Sequence, residues 1–99
     1  MVMSSEKKGF VLYFDACRSL AGLEPAQRGY LLTALYRYAE AASREAVSPA
    51  AALRELPELE PAARMAFLFM AGAVQRDTEK WRVQQEKRRA AALERFRGK

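Results

Sequence analysis

No proline follows Pro61, and no glycine falls between Gly72 and Gly98, in this chain of 99 residues. These are the two residue types that most strongly interrupt an α-helix. Proline lacks a donor and clashes with the preceding turn; glycine carries the largest backbone entropy. A helix opened at Pro61 can therefore run to about Phe96, a rod of roughly 50 Å at ~1.5 Å per residue. A chain this short holds one modest core, and the rest of it cannot cover such a rod. The sequence predicts an all-α fold of three main helices plus a short one, with a long C-terminal helix extending from a small core.

The start of that helix is written twice. Leu23 opens "LEPAQR" and Leu59 opens "LEPAAR", 36 positions apart. Proline suits the first helical position, where its missing N–H would be unpaired anyway. The glutamate before it favours the positive end of the helix dipole. Beyond the hexapeptides, only Leu32 and Leu68 match over the next dozen positions. A duplicated unit would repeat its core pattern, so the hexapeptide is a helix-initiation signal used twice. Ser48-Pro49-Ala50 is a weaker third use, opening a short helix from Pro49 to no further than Leu56, because Pro57 disfavours helix in the residue before it.

The second helix is predicted from Pro25 to about Ala42. Leu31, Leu35, Tyr38 and Ala42 line one side, with Leu32, Tyr36 and Ala39 beside them, and Gly29 leaves room for close approach of another helix. Upstream, Phe10, Tyr13, Phe14, Cys17 and Leu20 recur at intervals of three and four, one face of a first helix that stops near Gly22. "FVLYF" alone also reads as a short strand; the continuing periodicity favours helix. "MAFLFMAGAV" from Met65 is apolar all round and predicts a central, buried segment of the last helix.

Charge divides the chain. Residues 1–74 carry eight basic and eight acidic side chains, whereas residues 75–99 carry nine basic and four acidic ones. The whole excess of +5 sits in the last quarter, so a single domain is expected, with a neutral helical body (1–74) and a basic extension of the last helix (75–99). Arg76, Lys80, Arg82, Lys87, Arg88, Arg89 and Arg95 are the candidate nucleic-acid-binding residues, since lysine and arginine displace the counterions of phosphate backbones. Against this, Glu79–Arg82, Glu86–Arg89 and Glu94–Arg97 are spaced for pairing within the helix. At ~100° per residue the cations also scatter around the rod instead of forming one stripe.

Several chemistries are excluded. There is no histidine and only one cysteine, Cys17, so histidine-dependent nucleophiles and histidine- or thiolate-based zinc sites cannot be built. The acids are dispersed, and there is no glycine-rich phosphate cradle. No catalytic residue, metal or cofactor is expected, and the protein is read as non-enzymatic. Cys17 falls on the apolar face of the first helix and reads as a small core residue. No apolar run is long enough to cross a membrane, the N-terminus lacks a cleavable leader pattern, and a lone cysteine suits a reducing cytoplasm.

Apolar residues continue along one face of the rod: Phe67, Met70, Val74, Trp81 and Phe96. These form the expected interface of a homo-oligomer, with a dimer favoured. Asp15, the one acid in the apolar face of the first helix, is expected to pair with Arg76 and so anchor the first helix to the last.

Taken in order, Phe10-Val11-Leu12-Tyr13, Leu23 followed by Gly29, Ala34, Tyr38, Met65-Ala66-Phe67, Phe69, Arg76-Asp77, Glu79-Lys80-Trp81 and Glu86-Lys87-Arg88 resemble an uncharacterised helical domain. That domain is found at the N-terminus of phage and prophage replication-associated, replisome-organiser-like proteins. The resemblance covers about Gly9 to Arg88. It implies a phage-type protein in a bacterial host cytoplasm but supplies no mechanism. Such domains usually run on into a linker and a DNA-binding module, whereas here only Gly98-Lys99 follows the rod.

The leading expectation is an accessory protein that associates with DNA or replication machinery through its basic helix. Two alternatives use the same residues. One is a small helical oligomer that sequesters a partner protein or an anionic small ligand; the other is a purely structural assembly module.

Overall fold

The computed structural model describes residues 7–97. Residues 1–6, on which the expectation of no cleavable leader falls, and Gly98-Lys99, the end of the expected basic extension, lie outside the described residues. The elements are α1 (Phe14–Cys17), a 3₁₀ turn (Arg18–Leu20), α2 (Pro25–Arg44), α3 (Pro49–Leu53) and α4 (Pro61–Arg97). The fold is all-α, with no strand among the described residues. At 37 residues α4 is about 55 Å long and sets the long dimension of a molecule measuring 60 × 25 × 20 Å.

The two long helices pack on each other and run in the same direction. Near the start of each, the Gln27 side chain donates to the Glu58 carbonyl at 3.1 Å and accepts from the Glu60 N–H at 2.8 Å. Midway, Tyr38 and Phe67 meet edge to face with ring centroids 6.0 Å apart. At the far end Arg82 of α4 donates to the Ala42 carbonyl. Parallel neighbours require the chain to travel back between them. The segment after α2 does so through α3, whose Ser48 hydroxyl caps the Ala51 N–H at 3.1 Å. The segment before α2 makes a similar run as a strap of residues 7–13, then α1 and the 3₁₀ turn.

The repeated hexapeptide acts alike in both places. Leu23 and Leu59 are buried, and each donates its N–H to the carbonyl of a leucine three residues earlier, Leu20 at 3.1 Å and Leu56 at 3.3 Å. Each arginine then reaches back over the helix start. Arg28 Nε bonds the Leu23 carbonyl at 2.9 Å, and the Arg64 guanidinium bonds the carbonyls of Leu56 at 2.8 Å and Leu53 at 3.2 Å. The signal is thus a buried leucine, a proline at the first turn and an arginine that adds side-chain hydrogen bonds to carbonyls ahead of it.

The core is formed by Leu31, Leu35, Tyr38 and Ala42 of α2 against Ala63, Phe67, Met70, Ala71 and Val74 of α4. The small residues Ala34, Ala39, Ala66 and Ala71 let the two helices approach, and Leu23 and Leu59 close one end. Tyr38 is buried and donates its hydroxyl to the Val47 carbonyl at 2.7 Å, which supplies the partner that a buried hydroxyl requires.

Three details differ from expectation. The first helix is a single turn, because Tyr13 is extended, with φ −83° and ψ 149°, and helix begins only after it. Gly29 faces open space, so no helix approaches it. The first half of α4 is covered on one side only, since Ala63, Phe67, Met70 and Val74 point inward while Met65, 72% exposed, and Phe69 point out. A chain of this size cannot surround its own longest helix.

Candidate nucleic-acid interface

Cover on α4 ends at one place. Thr78 is its last buried residue, and Trp81 and Arg82 are half-buried. Arg82 terminates the contact with α2: besides the Ala42 carbonyl, its guanidinium reaches Glu79 Oε1 at 3.3 Å. Carbonyls at a helix C-terminus lack intrahelical partners and carry partial negative charge, so a guanidinium there is favourable. Arg82 is therefore an anchor at the root of the rod and not one of its free cations.

From Glu86 to Arg97 every residue is exposed. Among the described residues the ion pairs are Asp15–Arg18 at 3.0 Å, Glu40–Arg44 at 3.3 Å and Glu79–Arg82 at 3.3 Å. The expected pairs Glu86–Arg89 and Glu94–Arg97 are not formed. Lys87, Arg88, Arg89, Arg95 and Arg97 thus have no carboxylate within 4.0 Å among these residues. The seven candidate cations lie on one helix but not on one face. Arg76, Lys80 and Lys87 share a side, Arg88 and Arg95 another, and Arg89 the side of Arg82, at ~100° per residue. Such a rod presents positive potential all round.

The link between the N-terminal segment and α4 also differs from expectation. Asp15 is exposed and pairs with its neighbour Arg18, not with Arg76. The connection is made two positions earlier, at Tyr13 just ahead of α1, and one later on α4, where the Tyr13 hydroxyl donates to Asp77 Oδ2. That hydrogen bond, followed by burial and the Asp77 charge, raises the Tyr13 pKa above its ordinary value. Arg76 borders the same shallow cleft as Tyr13, Asp15 and Phe69. Its guanidinium lies back along the helix over Gly72, where an added Cβ would stand 3.6 Å from Nη1.

The expected oligomer stripe splits in two. Phe67, at 0% exposure, with Met70 and Val74, belongs to the chain's own core and is unavailable to a partner. Trp81 is half-buried against its own chain, and only Phe96, 81% exposed, is bare. The periodicity was that of an inward face, and sequence does not mark where cover ends. The larger exposed apolar surface lies on the outer side of α4, on the strap and at the start of α1, at Met65, Phe69, Val83, Val11 and Phe14. Cys17 is half-buried and unpaired.

One feature had no signal in the sequence. Lys7 and Lys8 on the strap come to lie beside Tyr36 and Arg44 of α2, around a cleft of about 400 Å³. Their separation along the chain hides this, and only the return path of the strap brings them together. No group of histidine, cysteine or carboxylate side chains suited to a metal occurs among the described residues, and no helix there is long and apolar enough to cross a membrane.

Fold and charge together define a class: a small helical protein whose last helix leaves a compact body as an exposed basic rod. Residues 9–99 match the model of a family of unknown function, DUF6291, and the chain belongs to that family. No curated protein and no solved structure matches it.

Proposed function

We propose that this protein is a non-enzymatic accessory factor that associates with nucleic acid through its C-terminal rod. The observation that carries the reading is the run from Glu86 to Arg97, exposed at every residue, in which Lys87, Arg88, Arg89, Arg95 and Arg97 lack carboxylate partners among the described residues. Positive potential on every side of a rod favours phosphate-backbone contact without sequence readout, because such contact needs charge and reach but no single reading face. The resemblance to phage replication-associated domains supports the same reading and suggests a bacterial cytoplasm as its setting, with DNA or a replication protein as partner.

Self-association is the second part of the proposal. Apolar residues that are exposed on the surface, Met65, Phe69, Phe14 and Phe96, favour a homo-oligomer. Sedimentation across a concentration series checks this: Phe69→Glu is expected to shift the protein toward single chains, and single chains at every concentration in the unmodified protein would remove this part.

The nucleic-acid reading is tested by titrating labelled duplex DNA across a salt series. Affinity is expected to fall steeply with salt, and Arg88→Gln with Arg89→Gln and Arg95→Gln to flatten the slope by about three. Binding that ignores salt, or none at low salt, would discard it.

A further inference from the structure

The strap of residues 7–13 does more than cover the core. Its first residues stand away from α2 and leave a cleft of about 400 Å³, within the size range of small-ligand sites. Phe10 and Tyr36 supply aromatic surface, and Lys7, Lys8 and Arg44 supply positive charge. Tyr36 is 54% exposed, so half of this aromatic side chain is open to solvent. Among the described residues the one acid at the cleft, Glu40, is engaged with Arg44 at 3.3 Å. Lys7 Nζ donates to the Gly9 carbonyl at 2.6 Å, which occupies one of its three donors and leaves the others free.

We infer that this cleft binds a nucleotide unit, with its base against Tyr36 and its phosphate held by Lys7, Lys8 and Arg44. The combination selects for this chemistry. A flat π-face at a wall accepts a base of any identity, and adjacent cations accept its phosphate. The C-terminal end of α2 would by itself repel an anion, but Arg44 in the last turn and Arg82 on the Ala42 carbonyl offset it. The unit is either a free nucleotide or one link of a single strand. The position suits the second source, since the cleft and the root of the rod flank the same last turn of α2. A strand seated in the cleft could pass directly onto the rod. The inference extends the nucleic-acid reading but does not require the rod to bind.

The experiment follows backbone amide signals of the full chain by nuclear magnetic resonance during titration with thymidine monophosphate and, separately, with a short oligothymidylate. Shifts are expected to centre on Phe10, Tyr36, Ser43 and Arg44. Tyr36→Ala is expected to weaken binding about tenfold and Tyr36→Phe to preserve it. Lys7→Gln with Lys8→Gln should weaken it without altering the fold, as both side chains lie at the surface end of the strap. Binding of both probes at these residues supports a site open to free nucleotides; binding of the oligomer alone, still dependent on Tyr36, supports a single-strand site. Shifts confined to the rod, or equal affinity in Tyr36→Ala and the unmodified protein, would overturn the inference while leaving the rod's role intact. Conversely, loss of duplex binding in the Arg88, Arg89 and Arg95 variant with the cleft shifts retained separates the two sites.

Discussion

The two halves of α4 are one unbroken helix in opposite circumstances. From Pro61 to Thr78 it is held by α2, by the α3 segment and by the strap; from Glu86 to Arg97 every residue is exposed. The first half can rely on buried area, because Phe67, Met70 and Val74 each remove a large apolar side chain from water, worth about 1.5–3 kcal/mol apiece. The second half has only intrinsic propensity, and Ala90-Ala91-Ala92-Leu93 with its arginines and glutamates supplies the best helix formers. A helix that forms for two different reasons fails in two different ways.

The strongest way to break the comparison is Phe67→Ala. It opens a cavity at the centre of the body and is expected to cost about 3–5 kcal/mol, a large share of the stability of a domain this size. Chemical denaturation would read the loss, and a change below 1 kcal/mol would mean that the α2–α4 core is not what holds the body. Next comes Gln27→Ala. It removes both bonds to the start of α4 and strands the Glu60 N–H and the Glu58 carbonyl, at an expected cost of about 1–3 kcal/mol by the same measurement.

Alkaline pH probes the body alone. Burial, partly offset by Arg82, raises the Tyr38 pKa above its ordinary value of 10.0 in the folded state. The folded state thus favours the neutral phenol. Its contribution is fully present below the unfolded value and is lost as pH rises through the higher folded one. Stability is expected to decline above about pH 10, and Tyr38→Phe to make that limb shallower. A limb of unchanged slope in the variant would assign it elsewhere, Tyr13 being the other tyrosine whose pKa is raised.

The smallest effect on the body sharpens the contrast most. Ala91→Pro places a helix breaker costing about 3 kcal/mol inside the rod, so helical signal should fall. The midpoint of the body's unfolding should move by less than about 0.5 kcal/mol, because no tertiary contact is lost. A large drop would show that the rod is covered in solution, which would itself identify a partner surface.

What was legible in the sequence follows the same division. Proline placement marked the starts of α2, α3 and α4 to the residue, because Pro25, Pro49 and Pro61 each occupy a first helical position. The inward face of α2 was readable because Leu31, Leu35, Tyr38 and Ala42 recur at helical spacing. The first helix was overread. Phe10, Tyr13 and Phe14 share that spacing, but Val11 and the aromatics are modest helix formers, and the bond from Tyr13 to Asp77, 64 residues away, fits an extended strap. Periodicity also could not say which apolar residues on α4 meet the chain's own core and which meet solvent, so Phe67 and Phe96 looked equivalent. That distinction depends on where α2 ends, at Arg44. The nucleotide cleft was illegible for a related reason: its two lysines are brought to Tyr36 and Arg44 only by the strap's path.

The shared direction of α2 and α4 has a mechanical consequence. The strap begins beside the last turn of α2, and the rod departs from that same turn. Tension applied between Lys8 and the far end of the rod would therefore peel the strap off one contact after another, like a zip, instead of shearing the whole bundle at once. A molecule gripped at those two points would yield softly, and its cleft would come apart before its core.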